Sequence, residues 1–147
     1  MIFNKIKELQ EKRVGITFST FDLLHAGHIL MLEECKNNCD FLIACLQTDP
    51  TIDRPDSKNK PAQSLYERWI QLRGCRFVNE IIPYSTEKEL LDILSSTKIH
   101  VRFLGEEYKD KEFTGKQFCI DNNIELFYNS RKHSYSTTEL RKRACLI

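Results

Sequence analysis

Two of the four histidines, His25 and His28, stand three residues apart with Gly27 between them. At the start of a helix that spacing lets both imidazoles face one point. The helix start adds unpaired backbone N–H groups and the positive end of the helix dipole. Gly27, lacking a Cβ, lets a ligand approach the backbone closely. Together these make an anion site with two imidazole donors. It suits charge developing on a phosphate during transfer, where catalysis is mostly positioning and electrostatics. The same spacing also fits a packed histidine pair with no ligand.

Other candidate chemistry is sparse. The five glycines, at 15, 27, 74, 105 and 115, allow neither a G-x-G-x-x-G turn nor a Walker A loop. A nucleotide would have to be held another way. Ser136-Thr137-Thr138-Glu139 reads as a capping box that opens a helix. Cys35 and Cys39 are four apart and could share a metal, but the six cysteines contain no C-x-x-C pair. They read as reduced thiols serving as small apolar residues.

The elements that must position these groups alternate. Strands are expected at Val14–Phe18, Phe41–Leu46, Val78–Ile82 (ended by Pro83), Ile99–Leu104 and Ile124–Tyr128. Helices are expected over 2–12 and 27–38. Further helices open at the caps Ser64 (Leu65, Trp69 and Leu72 inward), Thr86 (Leu90, Leu91, Ile93 and Leu94), Thr114 and Ser136. A polar loop with three prolines fills Gln47 to Pro61. Short apolar strands alternating with helices predict an α/β fold: a Rossmann-like, doubly wound parallel sheet of five strands, helices on both faces. Ligands in such sheets bind at the carboxyl ends of the strands, near the topological switch point.

The 147 residues predict a single domain, with 1–12 as a helical extension. With 22 basic and 21 acidic residues the net charge is +1, which argues against a general nucleic-acid binder or a polybasic membrane protein. No apolar run approaches the roughly 18–20 residues of a membrane span. The charged N-terminal stretch lacks a signal peptide's apolar core, so a cytoplasmic protein is expected.

Thr20-Phe21-Asp22-Leu23-Leu24-His25-Ala26-Gly27-His28 resembles the HxGH signature of the nucleotidyltransferase superfamily, and most of all the small cytidylyltransferases. Arg131-Lys132-His133-Ser134-Tyr135-Ser136-Thr137-Thr138 is similar to their R-T-x-G-I-S-T-T segment. Lys58-Asn59-Lys60 resembles their lysine pair. Glu67-Arg68 with Arg76-Phe77-Val78-Asn79-Glu80 looks like E-x-R and R-Y-V-D-E, and Gly105-Glu106-Glu107-Tyr108 stands where they have G-D-D-W. The resemblance runs from about Val14 to Arg143. The sequence departs from the pattern at Ser19, at Ala26 and at Ser134-Tyr135, where glycine or other residues stand in the family.

The resemblance implies transfer of CMP from CTP to a small phosphorylated acceptor, with release of pyrophosphate. His25 and His28 would stabilise the transition state, with Lys60 and Arg131 on the phosphates. Thr20, Phe21, Asp22, Gly27, Arg76, Glu107, Tyr108, Ser136, Thr137 and Thr138 would bind the nucleotide. Lys58 and Lys88 would bind the acceptor, while Arg68 would tie its helix to the site. Mg²⁺ is expected with the triphosphate, Asp22 being its one candidate protein ligand, and the family implies a homodimer. The alternatives are an ATP-dependent adenylyltransferase acting on a sugar phosphate, and a nucleotide-binding module without catalysis.

Overall fold

The computed structural model describes residues 12–145, so the helix expected over 2–12 lies outside the described residues but for its last position. Five strands form one all-parallel sheet: β1 (Val14–Ser19), β2 (Phe41–Gln47), β3 (Glu80–Tyr84), β4 (Val101–Gly105) and β5 (Glu125–Asn129). Their order across the sheet is β3-β2-β1-β4-β5. The chain winds outward from β1 to β3, returns to the other side of β1, and winds outward again. The switch point therefore lies between β1 and β4, where Ile16 pairs with Arg102.

The helices are α1 (Ala26–Asn37), α2 (Leu65–Arg73), α3 (Glu87–Ser96), α4 (Lys116–Asp121) and α5 (Thr137–Ala144). Successive strand side chains point to opposite faces, and here both faces are covered. Leu42, Ala44, Leu46, Val101 and Phe103 pack with Leu32 and Cys35 of α1 and Leu72 of α2. Val14, Ile16, Ile43 and Cys45 pack on the other face with Leu90 and Leu94 of α3 and Cys119 of α4. The capping boxes at Ser64 and Thr86 form as the sequence predicts. Among the described residues no helix is long and apolar enough to cross a membrane.

Four local expectations are corrected. Pro83 does not end β3: it pairs with Leu46 inside the strand. It is tolerated because β3 is an edge strand with one pairing side. Leu65 and Leu91 are exposed, since their helices turn a narrower apolar face inward than the sequence suggests. Thr114 does not cap α4; Gly115 does, with φ 83°, in the left-handed region. Ser136 accepts from the Glu139 amide, but the return bond that would complete a box at α5 is absent.

Five cysteines are buried and Cys145 is exposed. Burial pushes the Cys35 and Cys45 thiols upward, Cys45 to about 12, so they stay protonated. No cluster of three metal-ligating side chains exists among the described residues.

Candidate active site

A cavity of about 570 Å³ opens across the carboxyl ends of β1 and β4. Its wall includes His25, Gly27, His28, Glu107, Tyr108, Arg131, Ser136 and Thr137. The two stretches singled out in sequence, more than a hundred residues apart, thus meet in one hollow at the switch point.

His25 is the N-cap of α1, in extended conformation. Its Nδ1 accepts from the Gly27 amide at 3.0 Å, and the His25 amide donates to Nδ1 of His28 at 3.2 Å. Two histidines thus do what Ser and Glu do in an ordinary capping box. Because each Nδ1 accepts, each neutral ring carries its proton on Nε2. The His25 Nε2–H donates to Thr137 Oγ1 at 3.2 Å, and that of His28 is left to donate elsewhere. The ring centroids are 4.0 Å apart.

Both rings are held neutral. Burial, then the neighbouring His25, brings the His28 pKa down to about 4, against a smaller upward pull from Asp22. Burial, then His133, lowers that of His25. The pair therefore acts as two neutral N–H donors. Gly27 is required by a close approach: a Cβ there would lie 2.8 Å from the His25 ring and 3.0 Å from the Tyr135 carbonyl. This lets the segment before α5 press onto the start of α1.

The loop leading to His25 is strained and clamped. Phe21 and Leu23 adopt φ of 49° and 51°, a conformation side chains disfavour. Phe21 is buried, its ring centroid 5.8 Å from that of His28. The Asp22 carboxylate accepts from the Ala62 and Gln63 amides at 2.8 and 3.0 Å, and from Arg141 of α5 at 2.9 Å. Leu23 donates to the Gln63 side chain at 2.8 Å. Beneath lies Arg68 of α2, fully buried, which donates to the carbonyls of Thr20, Gln47, Thr48 and Gln63. One guanidinium thereby ties the ends of β1 and β2 to α2, the positioning role expected of it.

Several expected site residues lie off the cavity wall. Asp22 has both oxygens engaged in the clamp. The Thr20 carbonyl faces Arg68. The Arg76 guanidinium sits over the Phe77 ring, 4.8 Å from its centroid. Lys88 pairs with Asp92 at 3.0 Å on the exposed side of α3. Lys58 and Lys60 are exposed in the loop after β2, and Thr138 stands one residue beyond the wall. Sequence reasoning missed Arg54, Tyr84, Glu87 and Arg102, which do line the cavity. The available signal for Arg102 was a lone charge inside the apolar run of β4. His133 lines the wall and accepts from the Tyr135 amide at 3.2 Å. His100 is structural, accepting from the Val14 amide at 2.9 Å.

Comparison with known proteins agrees with this geometry. The chain is 34% identical over 128 residues to the glycerol-3-phosphate cytidylyltransferase of Bacillus spizizenii, covering 86% of this chain and 93% of that one. It is 29% identical over 118 residues to the bifunctional protein HldE of Helicobacter hepaticus, covering 80% of this chain but only 24% of that protein. Among solved structures, a lipopolysaccharide core biosynthesis protein from Thermoplasma volcanium matches with a TM-score of 0.67 at 22% identity, over 83% of this chain and 99% of that one. At that identity the likeness speaks for the fold. The profile described as cytidylyltransferase-like matches residues 16–143. The chain belongs to the cytidylyltransferase-like family of nucleotidyltransferase enzymes.

Proposed function

We propose that the protein transfers CMP from CTP to a small phosphorylated acceptor, glycerol 3-phosphate or another polyol or sugar phosphate, and releases pyrophosphate. The observation that supports this reading is the 3.2 Å contact between His25 Nε2 and Thr137 Oγ1, which brings onto one cavity the two stretches that the resemblance assigns to the phosphates. An oxygen of the acceptor phosphate attacks the α-phosphorus. The bond from that phosphorus to the bridging oxygen breaks, and pyrophosphate leaves on the opposite side. No protein nucleophile is needed, because the attacker is already an anion.

The free Nε2–H of His28 donates to a phosphoryl oxygen as charge builds on it, and the Nε2–H of His25 does so as the incoming phosphate takes the place of the Thr137 hydroxyl as its acceptor. The Ser136 and Thr137 hydroxyls, the free N–H groups at the start of α5 and the Arg131 guanidinium hold the departing phosphates. Glu107 and Tyr108, after β4, face the base. Lys60, exposed in the loop after β2, serves the triphosphate.

Mg²⁺ is held in such reactions largely by phosphate oxygens, whose charge it neutralises. The residues here do not fit a protein-borne metal, since both Asp22 oxygens are committed and no ligand cluster exists among the described residues. A homodimer, on the family resemblance alone, and a cytoplasmic location complete the reading.

A second reading keeps the chemistry with ATP and a sugar phosphate; the similarity to HldE favours it. Pyrophosphate release measured for four nucleotides against a panel of small phosphates tests both. Release with CTP supports the first reading and release with ATP alone supports the second. Tight nucleotide binding without release from any pair would make the protein a binding module.

A further inference from the structure

Arg102 is buried, 4% exposed, near the start of β4 between Val101 and Phe103. Its side chain leaves the sheet on the α3–α4 face and its guanidinium lies between the rings of Phe18 and Phe113, 5.1 Å from each centroid. Nη1 donates to the Thr114 carbonyl at 2.6 Å, but Nε is buried with no partner. Among the described residues it makes no ion pair with a carboxylate. Gly115 keeps room for it: a Cβ there would sit 2.8 Å from Nη1. Arg54, half-buried on the loop after β2, shares part of this pattern, although it pairs with Glu87. Its Nε is also buried without a partner, and Nη2 is 3.5 Å from Glu87. Both arginines line the cavity.

Arg68 shows what a structural arginine looks like in this molecule: equally buried, with its donors spent on four carbonyls. A buried cation left short of partners is costly, and an arginine fork matches phosphate and carboxylate oxygens. The position says which anion. Entering and leaving oxygens stand in line across the α-phosphorus. With the departing phosphates at the α1–α5 side, the acceptor enters from the other face, where Arg102 and Arg54 stand.

Taking the proposed transfer as its basis, we infer that Arg102, with Arg54 beside it, binds an anionic group of the acceptor and sets acceptor specificity. Lys58 and Lys88, suggested for that role by sequence, lie away from this wall.

Arg102→Met, Arg102→Lys and Arg54→Gln are compared with the wild type. KM is measured for CTP, and for glycerol 3-phosphate and 3-phosphoglycerate as acceptor probes. Calorimetry measures the binding of both probes without nucleotide, and thermal melting checks the fold. Arg102→Met is expected to weaken probe binding and raise acceptor KM about 10–100-fold, with CTP KM unchanged and Arg102→Lys in between. Its Tm should hold or rise, because a buried charge is replaced by an apolar chain of similar volume. Arg54→Gln should weaken the same probes, which keeps the test alive should Arg102→Met fail to fold. Equal loss for both probes means that Arg102 holds the phosphate. Selective loss of 3-phosphoglycerate means that it holds a second anion. Wild-type probe binding in both Arg102→Met and Arg54→Gln, or a rise in CTP KM alone, would overturn the inference. Probe binding that depends on Arg102 without any pyrophosphate release would overturn the transfer reading and leave the anion site standing.

Discussion

His25 Nε2 lies 3.2 Å from Thr137 Oγ1, although 112 residues separate the two in the chain. Because His25 Nδ1 already accepts from Gly27, the contact fixes the ring's tautomer and aims its N–H along the start of α5. Thr137→Val should lower kcat about tenfold, the worth of one oriented hydrogen bond, while Thr137→Ser keeps most activity. Steady-state kinetics with CTP checks this; an unchanged kcat in Thr137→Val would mean that the contact orients nothing.

His28 makes folding stability depend on pH. Its native pKa, about 4, lies below the ordinary histidine value of 6.5. Between these values the unfolded chain binds a proton that the native state refuses, so stability rises with pH there. The contribution is full above pH 6.5 and falls away as pH drops toward 4. Urea melts across this window should show a slope that flattens in His28→Gln. An equal slope in the variant would place the titration elsewhere.

Arg68 holds four carbonyls at the ends of β1, β2 and the loop before α2. Arg68→Ala should cost about 3–5 kcal/mol, leaving buried carbonyls unpaired. At this chain length that lowers Tm by about 10 °C. Denaturant midpoints check the figure, and a loss below about 1 kcal/mol would mean that water replaces the guanidinium. The contrast with Arg102→Met, expected to keep its Tm, separates a structural arginine from a ligand-binding one.

Lys88 is an exposed partner of Asp92 on α3, the kind of pair worth about 0–1 kcal/mol. Lys88→Ala should leave acceptor KM and Tm unchanged. A large rise in acceptor KM would return this lysine to the site.

Much of the fold was legible because local signals agreed with tertiary need. The boxes at Ser64 and Thr86 marked helix starts, and apolar runs such as Phe41–Leu46 marked strands covered on both faces. Pro83 misled because edge position is a property of the sheet order, invisible to a local reading. The α4 cap was missed because Gly115 acts through a left-handed φ rather than a side-chain oxygen. At the site, His25 and His28 were visible through residue type and helix-start position, and Ser136 and Thr137 through the resemblance of their segment. Arg102 was not, because a charge inside an apolar run looks like an interruption until the packing around it is seen. Asp22 was visible as a candidate, but its engagement by Ala62, Gln63 and Arg141 depends on contacts up to 119 residues distant.

The most direct measurement is pyrophosphate release from CTP and glycerol 3-phosphate by the wild type and by His28→Ala, with folding confirmed in both. Loss of a neutral N–H donor to transition-state charge predicts release by the wild type and a kcat lower by about 10²–10³ in the variant. Wild-type turnover in His28→Ala would contradict the account at its centre.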